Sequence, residues 1–144
     1  MFAIHGDGGE RLGRRLKRFS STLLHGDAKL ENLGLRRGGL VAIDWGDLTG
    51  FGPPEVDLAW YALKGAARIG CAPDALFGDY RAAARRPLEP EALDLASVGS
   101  LAQMGFRFAV GAFASGPEPT DVAMSLLEWW AARAAAALDR LGTI

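Results

Sequence analysis

The stretch HGDAKLENLGLRRGGLVAIDWGD, residues 25–47, constrains this chain more than any other segment. His25, Asp27 and Asn32 lie within eight residues of one another, and Asn32 is the only asparagine of the chain. Asp44 follows an apolar run and precedes Trp45 and a glycine. Because polar side chains concentrated in loops beside short strands are typical of functional sites, we treat the segment as a candidate site.

The residues around this cluster predict a β-hairpin. Residues 33–35 and 40–43 are apolar and form the two strands, and residues 36–39 form the turn. The paired glycines in that turn supply the positive φ that a tight hairpin needs. The short run TLLH, residues 22–25, predicts a buried strand, and the Gly- and Pro-rich residues 46–54 predict a loop.

The rest of the chain has helical periodicity. Residues 10–19 predict an amphipathic helix after a loose segment at residues 1–9. Further helices are predicted from the proline pair at 53–54 to Gly70, from Pro73 onward, over 89–114 and over 120–142. The apolar face predicted for the last helix consists of Leu127, Trp130, Ala134, Leu138 and Leu141. The fold class is therefore α+β and mainly α, a small β-hairpin followed by a helical bundle in one domain over residues 1–144.

Composition excludes several classes of function. The net charge of −1 gives no electrostatic argument for a nucleic-acid or membrane partner. A single cysteine cannot form an internal disulfide, which fits a cytoplasmic location, and two histidines make a structural zinc site or a His-rich binuclear phosphoesterase site unlikely on ligand count. We expect no signal peptide, because residues 1–12 have no apolar run after a basic start, and no uninterrupted apolar run of the sequence approaches membrane-spanning length.

The spacing H-x-D-x-x-x-x-N followed by D-W-G matches the residue set that kinases use for phosphoryl transfer. Mg²⁺ prefers oxygen ligands, so Asn32 and Asp44 are the candidate magnesium ligands. They are also the candidate cofactor-binding residues, since the ion binds the phosphates of ATP. Asp27 is the candidate catalytic base, because it can accept the proton of a substrate hydroxyl.

Three further residues are predicted to support this chemistry. His25 orients the loop through hydrogen bonds, and Trp45 packs underneath the site. Lys29 contacts the transferring phosphate as a point charge, and is therefore both a catalytic and a cofactor-binding candidate. Two interpretations of Lys29 remain open, since a solvated lysine would fit the sequence equally well. Asp47 is interpreted as a loop cap rather than a metal ligand.

The segments HGDAKLENL and VAIDWGDLTGFGPPEVDLAW, residues 25–33 and 41–60, resemble the aminoglycoside phosphotransferase / choline kinase family, which has a protein-kinase-like fold. The resemblance implies transfer of the ATP γ-phosphate to a hydroxyl of a small molecule with Mg²⁺. It also implies that Asp57 braces the catalytic loop from the following helix, although an ordinary acid in a first helical turn explains Asp57 too. The chain departs from the family pattern where Gly52 precedes Pro53 in place of the usual aspartate.

A second HGD, residues 5–7, does not share the pattern, because Leu12 stands where the asparagine would be. Only about twenty residues precede the second HGD, too few for a five-stranded nucleotide lobe at about 5–6 residues per strand. We therefore expect this chain to be the C-terminal lobe of the kinase-like fold, with the N-terminal lobe absent. Its exposed apolar face would then bind a partner that supplies the lobe, or a second copy. The alternative hypothesis is a kinase-like module that binds a partner without catalysis.

Overall fold

The computed structural model describes residues 7–84, 86–114 and 121–142. Within these residues the chain forms five α-helices and two small antiparallel strand pairs. The prediction of a mainly helical α+β fold is therefore confirmed. No helix in the described part of the chain is both long enough and apolar enough to cross a membrane.

The predicted hairpin is present. Strand β2 (Leu33–Arg36) pairs with β3 (Gly39–Ala42), and Leu35 lies opposite Leu40. The turn is shorter than predicted and consists of Arg37 and Gly38, whose φ angles are 46° and 81°. Two consecutive positive φ angles match the right-handed twist of the flanking strands, which explains why the strands extend to the turn.

A second strand pair was not predicted. Strand β1 (Thr22–Leu24) pairs with β4 (Gly50–Gly52), which lies in the segment predicted as a loop. Three residues of sequence GFG carry no alternation of apolar and polar side chains, so the pairing could not be found locally. The predicted burial of residues 22–25 was half wrong, since Thr22 and Leu23 are exposed while Leu24 and His25 are buried.

The helices follow the predicted order. They are α1 (Asp7–Leu16), α2 (Glu55–Ile69), α3 (Pro73–Ala83), α4 (Pro90–Ala114) and α5 (Asp121–Leu141). Helix α2 begins after Pro54 and ends at Gly70, whose φ of 63° closes the helix in the left-handed conformation that glycine favours. Helix α1 begins three residues before the predicted start, so residues 7–9 are helical; residues 1–6 of the predicted loose segment lie outside the described residues.

The hydrophobic core lies where α2, α3, α4 and α5 meet. Its largest members are Trp130, fully buried on α5, and Phe77, 2% exposed on α3. The face predicted for α5 was partly wrong, because Leu126 and Ala137 are buried while Leu138 is 45% exposed. The buried positions of α5 recur at intervals of four, four and three residues, which is the true helical stripe. The opposite side of α2 is left to contact the loop that follows β1.

Candidate functional site

The loop from His25 to Lys29 connects β1 to a short 3-10 turn, Leu30–Asn32. Gly26 has a φ of 79°, and a Cβ at this position would overlap the backbone carbonyl of Leu48. Only glycine fits a position that combines positive φ with such close backbone approach. The loop is therefore pressed against the segment after β3.

Asp57, in the first turn of α2, fixes the backbone of this loop. Its Oδ2 accepts the hydrogen bond from the N–H of His25 at 2.6 Å, and its Oδ1 accepts the one from Gly26 at 2.9 Å. Hydrogen bonds from N–H groups to a carboxylate are about twice as strong as those between neutral groups. The carboxylate thus satisfies two loop donors at once.

His25 connects the loop to the end of β3. Its ring is buried, and Nε2 lies 2.7 Å from the carbonyl oxygen of Ile43. Nδ1 accepts a longer hydrogen bond from the N–H of Asp27, at 3.3 Å. Because Nδ1 accepts, the hydrogen-bond pattern assigns the donor proton to Nε2. Trp45 lies against the histidine, with ring centroids 4.7 Å apart, but it remains 50% exposed instead of packing beneath the site.

The carboxylate of Asp27 receives four donors. Oδ1 accepts from Trp60 Nε1 at 3.1 Å and from Lys64 Nζ at 2.9 Å. Oδ2 accepts from the ammonium of Lys29 and from Asn32 Nδ2, the latter at 3.3 Å. Partial burial alone would raise the pKa of Asp27, but the hydrogen bonds from Lys29, Lys64 and Trp60 outweigh it and hold the pKa well below its usual range. Asp27 is therefore ionised at neutral pH.

Sequence reasoning missed Trp60 and Lys64 as members of this site. Both project from α2, 33 and 37 residues after Asp27. The spacing Asp57, Trp60, Lys64 places all three on one side of the helix, because residues three and four apart are neighbours on a helical surface. These side chains form a polar and amphipathic stripe opposite the apolar face of α2. That stripe was the sequence pattern that could have indicated Trp60 and Lys64.

Asn32 is buried and its amide has a defined orientation. Nδ2 donates to the carbonyl oxygen of Asp27 at 3.0 Å as well as to its carboxylate. The amide oxygen therefore points away from these acceptors, and no donor to it lies among the described residues. The N–H of Ile43 donates to the backbone carbonyl of Asn32 at 2.9 Å, which brings the end of β3 beside the 3-10 turn.

Asp44 directly follows that contact. It is exposed and has a φ of 63°, a left-handed conformation that costs a non-glycine residue about 1–2 kcal/mol. Strain of this kind in a loop supports a functional interpretation of the residue. Asp47 is also exposed, and it caps no backbone N–H within the described ranges, so the structure provides no hydrogen bond for the predicted loop cap.

The structure thus gathers Lys29, Asn32 and Lys64 around the carboxylate of Asp27. Asp44 directly follows Ile43, whose N–H donates to the backbone carbonyl of Asn32. Among residues 7–84, 86–114 and 121–142, no three His, Cys, Asp or Glu side chains converge as a metal site. One carboxylate and one amide oxygen are nevertheless a donor set that fits Mg²⁺, which usually keeps several waters and takes further oxygens from phosphates.

Comparison with known proteins yields one match. The family model described as the phosphotransferase enzyme family (APH) matches residues 10–95. No curated protein and no solved structure matches the chain. The matched segment covers more than half of the chain and contains every residue of the site described above, from His25 to Lys64. The chain therefore belongs to the APH phosphotransferase enzyme family.

Proposed function

We propose that the chain carries the catalytic face of a small-molecule kinase of the aminoglycoside-phosphotransferase type, which transfers the γ-phosphate of ATP to a substrate hydroxyl. The observation that carries the proposal is the convergence of Asn32, Lys29 and Lys64 on the carboxylate of Asp27. Phosphoryl transfer needs positioning and charge neutralisation more than covalent help, and this cluster supplies one anion among two cations and a polarised amide.

In this proposal Asp27 accepts a hydrogen bond from the substrate hydroxyl and takes its proton. Its lowered pKa makes it a weak base, so it acts mainly by orienting the hydroxyl and receives the proton late in the transfer. In a loose transition state a late proton transfer is sufficient, because little bonding to the nucleophile has developed.

The four donors on Asp27 imply an exchange of partners. A carboxylate has about four lone-pair positions, and Trp60, Lys64, Lys29 and Asn32 occupy them. A substrate hydroxyl must therefore displace one donor. Lys29 is the candidate, because its flexible side chain lies on the loop and can turn to the phosphate that is being transferred.

Asn32 and Asp44 would hold Mg²⁺ through the amide oxygen and the carboxylate. When bound, the ion supplies neutralisation of the charge that develops on the phosphate oxygens. His25 and Asp57 keep the loop in place, His25 through the carbonyl oxygen of Ile43 and Asp57 through two backbone N–H groups. Trp45 limits the movement of the His25 ring by lying against it.

The apolar strand face supports the further proposal that this chain is the C-terminal lobe and that a nucleotide-binding lobe covers this face. Most of the exposed large hydrophobic residues lie on the two strand pairs and the loop between β3 and β4; they are Leu23, Leu35, Leu40, Val41, Ile43, Trp45, Leu48 and Phe51. We use the name apolar strand face for these eight residues together; it denotes the set and not one flat side, because Leu40 and Val41 are consecutive on β3 and point to opposite sides of the hairpin. It adjoins Asp44, so a lobe seated there would lie beside the proposed magnesium ligands.

Metal and nucleotide binding test the proposal without knowledge of the acceptor. With a nucleotide lobe supplied, Mg-ATP binding measured by calorimetry should weaken about tenfold or more in Asp44→Asn, because one charged ligand is lost. Asp47→Asn is the matched control, since it removes an exposed carboxylate three residues away. Equal affinity of both variants and the unmodified chain would contradict the assignment of Asp44.

A further inference from the structure

A second polar cluster lies away from the candidate active site. A cavity of about 290 Å³ opens between α3, the segment before α4, α4 itself and α5. Three arginines and a single carboxylate line it, together with an apolar wall; the complete lining is Arg81, Leu88, Pro90, Leu93, Asp94, Arg133 and Arg140. None of these residues contacts Asp27, Asn32 or Asp44.

The only carboxylate that lines the cavity, that of Asp94, already faces two of the three arginines. Asp94, with a side chain 8% exposed, accepts two hydrogen bonds at 2.8 Å from Nε and Nη2 of Arg140. Nη2 of Arg133 lies 3.6 Å from the same carboxylate, farther than a hydrogen bond. One negative charge thus serves two guanidinium groups, and no carboxylate in the described part of the chain pairs with Arg81. The lining therefore carries a formal charge of +2, three guanidinium groups less one carboxylate.

Arg133 is the most constrained of the three cations. Its side chain is 19% exposed, and its guanidinium carbon lies 5.1 Å from the centroid of Phe77. Nε donates to Ser97 Oγ at 3.0 Å, which leaves the terminal nitrogens without a hydrogen bond to the described residues. Burial lowers the pKa of Arg133, whereas the negative charges of Asp94 and Asp74 raise it; Asp74 does not line the cavity. A buried cation that lacks a full counter-ion favours an anion beside it.

We propose that this cavity binds a phosphate group, held between Arg81, Arg133 and Arg140. The guanidinium forks of Arg81 and Arg133 match the oxygens of a phosphate in pairs, whereas Arg140, whose Nε and Nη2 bind Asp94, offers Nη1 alone. A dianion would balance the charge of +2. The apolar wall formed by Leu88, Pro90 and Leu93 lies beside the cations. A phosphate ester with a short carbon chain would place its apolar part there, whereas inorganic phosphate would use the cationic part alone.

Calorimetric titration with inorganic phosphate and with glycerol 3-phosphate tests the proposal. Chloride replaces phosphate at constant ionic strength, so that screening stays equal. The unmodified chain should bind phosphate saturably, and Arg81→Gln should weaken the binding about tenfold, since one charge-assisted contact is lost. Arg36→Gln is the matched control, because it removes an exposed arginine on β2, away from the cavity. Tighter binding of the ester supports a phosphorylated metabolite, and equal binding supports free phosphate.

Two results would overturn the proposal. The first is the absence of saturable binding of either probe up to about 10 mM. The second is binding that Arg81→Gln leaves unchanged or that both variants weaken equally, because the anion would then lie elsewhere, for example at Lys29. A second measurement reports where the phosphate binds. The NMR resonance of the Arg133 Nε–H should shift on phosphate addition in the unmodified chain and much less in Arg81→Gln.

Discussion

At the scale of single residues, the site depends on which donors bind the carboxylate of Asp27. Lys29 and Lys64 approach Asp27 from different elements, the loop and α2, and Trp60 adds a neutral donor. Lys64 also lies 4.5 Å from the centroid of the Trp60 ring, so the cation is held from two sides. This arrangement keeps Asp27 ionised at neutral pH, because the donors hold its pKa well below the usual range.

The pH dependence of stability tests the pairing of Lys64 with Asp27. The pKa of Asp27 is lower in the folded chain than its usual value of 3.8, so the unfolded chain binds more protons as the pH falls through that range. The stability that the carboxylate contributes is therefore present above about pH 5 and is lost progressively as the pH falls below it. Replacement of Lys64 weakens this contribution.

We predict that Lys64→Met lowers the free energy of unfolding by about 1–2 kcal/mol at pH 7, because one charged hydrogen bond is lost while the apolar stem is kept. The difference should shrink near pH 2, the lower of the two pH values compared, where the pH approaches the lowered pKa of Asp27 in the folded chain and the carboxylate begins to take up a proton. Urea denaturation at both pH values measures it. Lys17→Met, at an exposed position after α1, is the control and should change stability by less than about 0.5 kcal/mol. A difference for Lys64→Met that is equal at both pH values would contradict the pairing.

At the scale of elements, α2 organises both the core and the site. Its apolar side packs against α4 and α5, and its other side presents Asp57, Trp60 and Lys64 to the loop. The proline before α2 and the glycine after it, together with strong periodicity, made this helix predictable. The hairpin was predictable for a similar reason, because its turn is local and its strands are consecutive.

The elements that could not be predicted depend on contacts between distant segments. The pairing of β1 with β4 brings together residues 26 to 30 positions apart, and a Gly-rich strand of three residues has no pattern of its own. The four donors on Asp27 come from three elements, so the motif indicated the carboxylate and Asn32 but not Trp60 or Lys64. The sequence therefore predicted which residues form the candidate site better than it predicted their partners.

Two causes require glycine at position 26, the close approach of Leu48 and the positive φ, and a comparison with Gly38 separates their effects on stability. Gly26 and Gly38 have nearly equal φ angles, 79° and 81°, but a Cβ at Gly38 meets open space while one at Gly26 overlaps Leu48. We predict that Gly38→Ala costs about 1 kcal/mol of stability and that Gly26→Ala costs clearly more. Thermal or urea unfolding of both variants measures the difference. Equal losses would show that the loop does not lie against Leu48.

At the scale of the whole molecule, the apolar residues of the helices and those of the strands differ in exposure within the described part of the chain. The helices bury their apolar residues against each other, whereas the apolar strand face remains open beside the candidate site. Within that face Phe51 is 81% exposed and Leu40 is 69% exposed. Large contiguous exposed apolar patches mark surfaces that bind another protein or a second copy, and the apolar strand face is the candidate for such a surface in this chain.

We predict that the isolated chain associates with itself through the apolar strand face. Sedimentation velocity should show a concentration-dependent dimer or larger species, and the double variant Leu40→Lys, Phe51→Lys should sediment as a monomer. Ile69→Lys is the control, since Ile69 is 42% exposed but lies at the end of α2, outside the face. Association that Ile69→Lys abolishes and the double variant preserves would assign the contact to another surface.

In the proposed function, phosphate transfer to a hydroxyl depends on Asp27, and γ-phosphate transfer from ATP to a panel of hydroxyl-bearing small molecules is the decisive measurement of that role. With a nucleotide lobe supplied, the unmodified chain and Asp47→Asn should phosphorylate the same acceptor, whereas Asp27→Asn should lose about two to four orders of magnitude in kcat, the contribution expected of a positioned base. Mg-ATP affinity should remain unchanged in Asp27→Asn. Transfer that persists in Asp27→Asn at the rate of the unmodified chain would contradict the account.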